Sequence, residues 1–498
     1  MSRSRRNYPL KLARLALELL ALAIGWVILN EDSQAAELKR HPNIVLMMAD
    51  DQGWGETRYH GHPHLKTPTL DEMAAKGLRL DRFYAAAPVC SPTRTAVLTG
   101  RNPVRSGSFG PNYSTRPEEI TIALILKSAG YRTGHFGKWH VGPVKAASPL
   151  NPARLGFDEY LSHDNFFDID PLLSHNGAPP EIIKGESSEV VVDAATKFIK
   201  QVQGEGKPFF VIVWFGSPHG PYHGLTNDVA LYDTVAGEET KNRFAEITAM
   251  DRAVGKFRSS LKELGVAQNT LLWFTSDNGI PADSVPVPQH ALLYNGGWRG
   301  GKWSLYEGGL RVPALIEWPA VIQKPRTSIV PCVSSDIFPT LLDLLGLPPS
   351  ESNRPMDGLS LRKLIVGEEM TMRPQPIGFW NYDGKPEKKN ARWIDEELSR
   401  GTTHLKRDGP VMFSNFHHPN ARTNNFTGET AWTDNRYKLL VTHRPKSANK
   451  RLYDLLEDPK EQEDVANQHP EVVKTMTAQL EDWQRSVERS LSGADYSK

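Results

Sequence analysis

Cysteine is scarce. Cys90 and Cys332 are the only two in 498 residues, so a disulfide scaffold is excluded and each thiol must be judged by its surroundings. An excess of charge of one sign is also lacking. Lys and Arg number 59 against 58 Asp and Glu, a net charge of +1, which excludes a broadly basic nucleic-acid binder. No internal repeat is visible. No apolar run reaches the ~20 residues that a membrane span needs; the run from Leu15 to Leu29 is short and interrupted by Glu18. What remains is ordinary. The chain is 39% hydrophobic and 23% charged, which argues against a disordered or fibrous protein. At about 100–200 residues per domain its length allows roughly two to four domains and a large core.

The N-terminus carries Arg3, Arg5, Arg6, Lys11 and Arg14, then the Leu15–Leu29 run, then the small-residue pattern Ser33-Gln34-Ala35-Ala36. Basic, apolar and small-residue regions in that order predict a cleaved export signal over residues 1–35. A retained N-terminal membrane anchor is the alternative. The expected location is periplasmic or extracellular. Without residues 1–35 five basic and three acidic groups are lost and the net charge becomes −1, so no basic field remains for nucleic acid.

Three short apolar runs end in polar groups. Asn43 to Ala49 stops at Asp50-Asp51, Pro208 to Phe215 stops at Ser217-Pro218-His219, and Thr270 to Thr275 stops at Ser276-Asp277-Asn278-Gly279. Runs without alternation read as strands buried on both faces. Helical patterns lie between them, over 69–76, 121–129, 189–202 and 246–264. Strands alternating with helices predict an α/β fold, a large mostly parallel sheet sandwiched by helices. Ligands bind beyond the carboxyl ends of such strands. A fourth short strand, ending near Gly137, would present Lys138 and His140 at the same edge.

The large core closes near Leu359–Ile365. This predicts a catalytic domain over 36–367, a linker over 368–376, and a smaller C-terminal α+β domain over 377–498. That last domain has short strands such as Tyr437–Val441 and a final helix over 471–491. Segment 383–425, rich in Lys, Arg, His and Asn, is expected to be an exposed insertion, or else part of a pocket for an anion.

Asp50, Asp51, Asp277 and Asn278 are oxygen donors, a set that suits hard cations such as calcium or magnesium and not zinc. Adjacent aspartates repel unless a cation or base neutralises them. Helix capping is the competing use of a lone aspartate at such a turn; a matching Asp-Asn pair at a second strand end favours the metal. Cys90-Ser91-Pro92-Thr93-Arg94 opens a short helix that Gly100 closes. The dipole and free N–H groups at that N-terminus favour an anion, and Arg94 adds a forked donor. Cys90 is then either an inert buried thiol or a nucleophile. A thiolate suits a hard cation poorly, which suggests that Cys90 does not work as a thiol. Cys332, in an apolar setting, is expected to be a buried thiol. Asn112-Tyr113-Ser114 and Asn425-Phe426-Thr427 match the glycosylation sequon.

Cys90-x-Pro92-x-Arg94, with Leu98-Thr99-Gly100-Arg101, resembles the main signature of the sulfatase family, and Gly130-Tyr131-x-Thr133-x-x-x-Gly137-Lys138-Trp139-His140 resembles the second. Further stations follow in order: Thr67-Pro68-Thr69-Leu70-Asp71, Pro218-His219, Gly301-Lys302, Tyr306-Glu307-Gly308-Gly309-x-Arg311-Val312-Pro313 and Leu452-Tyr453-Asp454-Leu455. The likeness is to the formylglycine-dependent (type I) sulfatases, nearest the arylsulfatase A and N-acetylgalactosamine-6-sulfatase branch of the alkaline phosphatase superfamily.

The resemblance implies that a separate formylglycine-generating enzyme converts Cys90 to Cα-formylglycine, whose hydrated aldehyde is the nucleophile. It implies one calcium ion on Asp50, Asp51, Asp277, Asn278 and the modified Cys90. Arg94 would stabilise the diol, and Lys138 and Lys302 would clamp sulfate oxygens. His219 would protonate the leaving alcohol, and His140 would take the proton that releases sulfate. The implied substrate is a sulfated small molecule or carbohydrate. The competing readings are a phosphodiester or phosphonate monoester hydrolase on the same scaffold and a non-catalytic secreted carbohydrate-binding protein. Substrate choice is expected to lie with the rim loops over 145–185, 222–240, 283–298 and 383–425, which vary freely on one scaffold.

Overall fold

The run Asn43–Ala49 becomes β1, a strand flanked on both sides in the middle of a ten-stranded sheet. The computed structural model describes residues 41–281, 295–348, 354–384, 391–405, 409–419, 421, 426–444 and 447–496. The expected export signal, Asn425 of the second sequon and most of the 283–298 rim lie outside them. No helix among the described residues is long and apolar enough to cross a membrane.

In chain order the strands are β1 (Asn43–Ala49), β2 (Leu78–Leu80), β3 (Phe83–Tyr84), β4 (Arg132–Lys138), β5 (Glu159–His163), β6 (Leu172–His175), β7 (Glu181–Ile182), β8 (Phe209–Trp214) and β9 (Thr270–Ser276). They continue as β10 (Ala314–Glu317), β11 (Arg326–Ser328), β12 (Cys332–Val333), β13 (Ile377–Asn381), β14 (Arg400–Leu405), β15 (Gly409–Met412), β16 (Glu429–Thr433), β17 (Tyr437–Arg444) and β18 (Ser447–Asp454). The large sheet runs β11-β2-β10-β9-β1-β8-β4-β5-β6-β7. Its centre, β9-β1-β8-β4-β5, is parallel. Antiparallel pairs with β10 and β6 flank it. This is the expected α/β sheet, with a mixed margin.

Successive residues of one strand face opposite sides of a sheet. Ile44, Leu46 and Met48 accordingly join one buried cluster with Phe210, Ile212 and Trp273. Val45, Met47 and Ala49 join another with Val211, Val213 and Phe274. Helices Ser187–Glu205 and Glu238–Glu263 cover the second face; Ile122–Ser128 and Ile337–Leu344 cover the first. The helix expected at Glu246 begins earlier, at Glu238. Its first turns, Glu238 to Arg243, are polar and carry no apolar signal.

A second, four-stranded antiparallel sheet, β13-β16-β17-β18, forms the expected C-terminal sheet. One face packs on helix Pro470–Leu491 through Leu439, Leu452, Met476 and Leu480. The other face, through Phe379, Leu440 and Tyr453, packs on Ala96, Leu305 and Leu310. The 366–376 region is tied down as well, since Arg373 forms two bonds to the buried Asp336.

Segment 383–425 is only partly an exposed insertion where it is described: Asp395, Glu396, Glu397, Met412 and His417 are exposed. Phe413, Asn415 and His418 are buried. Trp393 N–H donates to Asn415 O, and Ser114 N–H to Ser414 O. Asp164 accepts the Thr402 N–H at 2.7 Å. These pairings satisfy backbone groups of a polar stretch, which lets it lie against the large sheet's loops.

Candidate active site

Register brings the three polar strand ends together. Met48 pairs with Trp214 and Ala49 with Ser276, so the strands stop at one level. The ladder continues one residue further, Asp50 N–H donating to Ser217 O and Asp277 N–H to Ala49 O. β4 ends beside β8 with Gly137 opposite Trp214, which delivers Lys138 to the same edge.

Cys90 is the first residue of helix Cys90–Thr99, every residue of which is buried. Gly100 ends that helix at φ 70°, a left-handed turn that glycine adopts without strain. The Cys90 thiol lies 3.5 Å from Asp50 Oδ1 and 3.9 Å from Asp51 Oδ1. Burial pushes the thiol up, far above neutral pH, despite Lys138 and Lys302 nearby. Asp50, Asp51, Cys90 and His219 all present ligand atoms within 4.8 Å of one another.

Cations surround the carboxylates. Lys138 Nζ donates to Asp50 Oδ2 at 2.5 Å. Lys302 Nζ donates to both oxygens of Asp51, at 2.7 and 2.8 Å. Arg94 donates Nε and Nη2 to Asp277 Oδ2, at 3.1 and 2.6 Å, and Nη1 to the Lys138 carbonyl; its guanidinium also lies over Trp214. Burial would raise Asp51, but Lys302, His219 and Lys138 outweigh it and hold the carboxyl below the usual range. Burial, reinforced by the neighbouring Asp50, raises Asp277.

The donor set fits a hard cation. Three carboxylates converge, and Asn278 Oδ1 is buried with no hydrogen-bond partner among the described residues, while its Nδ2 donates to Asp51 Oδ1. An unsatisfied buried acceptor beside paired carboxylates is costly unless a cation completes it.

His219 follows β8 and stacks on Phe166, ring centroids 4.7 Å apart. Its Nδ1 donates to Gly220 O at 2.7 Å, and its Nε2 faces Asp51 Oδ2 at 3.7 Å. Burial lowers it to about 4. His140, two residues beyond β4, forms no hydrogen bond to the carboxylates; its Nε2 meets Asn112 Oδ1 at 2.7 Å. Cys332 is a buried thiol that donates to Val330 O.

Two parts of the site carry no sequence signal. Arg243 makes two parallel bonds to Glu56 and donates to the carbonyls of Asp51 and Pro218, all at 2.7 Å. Lys438, on β17, is buried between Glu307 and Glu461, 2.8 Å from each. That cluster ties the C-terminal sheet to the segment carrying Lys302.

The sulfatase family model matches residues 42–347. The chain belongs to the sulfatase family. This sulfatase is 34% identical to N-acetylgalactosamine-6-sulfatase of Canis lupus familiaris over 392 residues, 71% of this chain and 72% of that one. It is 32% identical to arylsulfatase A of Homo sapiens over 403 residues, 73% of each chain. Among solved structures, Ps i-CgsB in complex with a neocarrahexaose superposes with a TM-score of 0.72 at 24% identity, over 90% of this chain and 93% of that one, a likeness of fold. The sulfatase is therefore an enzyme, a sulfuric ester hydrolase.

Proposed function

We propose that the sulfatase hydrolyses a sulfate monoester of a carbohydrate or aryl alcohol, with Cys90 converted to Cα-formylglycine and one calcium ion held by Asp50, Asp51, Asp277, Asn278 and the converted side chain. The observation that carries this reading is the buried Cys90 thiol, 3.5 Å and 3.9 Å from two carboxylates. A thiolate there would face like charge, and burial keeps the thiol protonated. Conversion would supply a hard oxygen nucleophile, and the cation would neutralise carboxylates and sulfate oxygens.

The chain's own groups do the rest. Lys138 and Lys302 place fixed positive charge where a sulfate would bind, and Arg94 adds a third cation. Losing one such electrostatic donor costs on the order of 10²–10³ in rate. His219 keeps its Nδ1 on Gly220 O, which leaves Nε2 to hold the proton for the leaving alcohol. Burial, with Lys138 and Lys302 nearby, drops this histidine to about 4 despite Asp51; a bound sulfate anion favours the imidazolium and opposes that drop. His140 accepts the proton whose loss releases sulfate.

The same reading requires a separate formylglycine-generating enzyme as a partner, and export to the periplasm or cell exterior, for which the N-terminal charge and apolar pattern is the support. The test is a peptide mass over residues 79–101 of natively expressed protein, with Cys90→Ala assayed alongside. An aldehyde in place of the thiol, and loss of sulfate release in a folded Cys90→Ala variant, are expected. An unconverted thiol in fully active enzyme overturns the reading.

A further inference from the structure

Asn112 stands in none of the motifs that carry the chemistry, yet its amide oxygen is 2.7 Å from His140 Nε2. His140 Nδ1 is buried and has no hydrogen-bond partner among the described residues. An amide oxygen only accepts, so Nε2 carries the hydrogen and, in the neutral ring, Nδ1 keeps the lone pair. The opposite assignment, with the Asn112 NH2 donating to Nε2, would strand an Nδ1–H in a buried site, the costlier defect. Burial, with Lys138 and Arg94 nearby, keeps the ring neutral.

Asn112 is itself held. Its φ is 60°, a left-handed conformation that asparagine tolerates better than most side chains. Its N–H donates to Ser91 Oγ at 3.1 Å, beside Cys90. Its carbonyl accepts the Ser414 N–H at 2.7 Å, and Tyr113 bridges to Ser414. One residue thus links the start of the Cys90 helix, the ring of His140 and the 409–416 segment, whose Phe413 ring faces His140 edge-on.

We propose that Asn112 is a positioning residue for catalysis: it fixes the tautomer and ring orientation of His140 so that Nδ1 is free to take the proton in the sulfate-releasing step. The inference rests on the proposed role of His140 as base. It also reassigns the Asn112-Tyr113-Ser114 sequon. Ser114 is buried with its hydroxyl on Ser414 O, and a glycan on the Asn112 amide would stand beside His140.

The test is steady-state hydrolysis of a chromogenic aryl sulfate by Asn112→Ala, Asn112→Asp, His140→Ala and the Asn112→Ala/His140→Ala double variant. Each rate is normalised to formylglycine content measured by peptide mass. Asn112→Ala should lower kcat about 10–100-fold with KM nearly unchanged. Asn112→Asp, which keeps an acceptor at the same place, should retain most of the wild-type kcat. The double variant should be no slower than His140→Ala alone, because the two residues act as one unit. A purely structural role predicts losses that add, and additivity overturns the inference. A slow His140→Ala beside an Asn112→Ala within about twofold of wild type overturns this inference alone. A His140→Ala variant at the wild-type rate overturns the base assignment and the inference with it.

Discussion

Arg243→Met separates what holds the fold from what aims the site. Arg243 is 4% exposed and its partner Glu56 is fully buried. The guanidinium gives Glu56 two parallel bonds and gives one each to the carbonyls of Asp51 and Pro218, all at 2.7 Å. Asp51 is a proposed metal ligand, and Pro218 precedes His219. Removing the guanidinium leaves a buried carboxylate whose remaining donor, among the described residues, is the Gly53 N–H. Breaking a buried ion pair from one side costs about 3–5 kcal/mol. The variant should melt well below wild type and lose most of its activity. Adding Glu56→Gln removes the stranded charge, and most of the stability should return, because a neutral replacement of a buried pair is often tolerated. Activity should not return with it. The two carbonyls still lack their clamp, and displacements of about 1 Å can cost on the order of 10² in rate. The assays are thermal unfolding followed by circular dichroism, and kcat/KM from released sulfate. A single variant that melts like wild type refutes the energetic argument. A double variant that recovers stability and rate together refutes the positional one.

Two further outcomes are expected. Chelation with EDTA should cut activity, with calcium restoring it best; restoration by zinc alone would contradict an all-oxygen site. Glu488 is 2% exposed, its Oε2 lacks a partner among the described residues, and burial raises it to about 7. A carboxyl raised in the folded state binds more protons there than in the unfolded chain. Stability should therefore rise as pH falls from about 7 toward the ordinary glutamate value near 4.5. Glu488→Gln should flatten that slope and stabilise the protein by up to about 3 kcal/mol at pH 8; thermal melts of both proteins across that range are the check, and parallel curves would rule the argument out.

The central strands were legible because both their faces are buried, so Asn43–Ala49 and Thr270–Ser276 read as unbroken apolar runs that end where the polar groups begin. The margins were not. Glu181–Ile182 is exposed at the sheet edge and has no pattern to read. The first turns of Glu238–Glu263 hide behind charge, because Arg243 is buried by pairing and not by apolarity. Ser399, Val411, Phe413 and Asn415 are buried although the stretch around them is polar in sequence, since backbone groups there pair with Asp164, Ser114 and Trp393.

By itself the sequence determined the local chemistry: oxygen donors at strand ends, and a cysteine that opens a helix with an arginine one turn on. Short-range rules suffice there, because strand, turn and helix start are set by neighbours in the chain. Only the tertiary structure decided which groups hold those residues in place. Glu56 meets Arg243, Asn112 meets His140, and Lys438 meets Glu307 and Glu461 across long stretches of chain. Such partners leave no periodic trace. They are chosen by the need to pair every buried charge and donor once the sheet has closed.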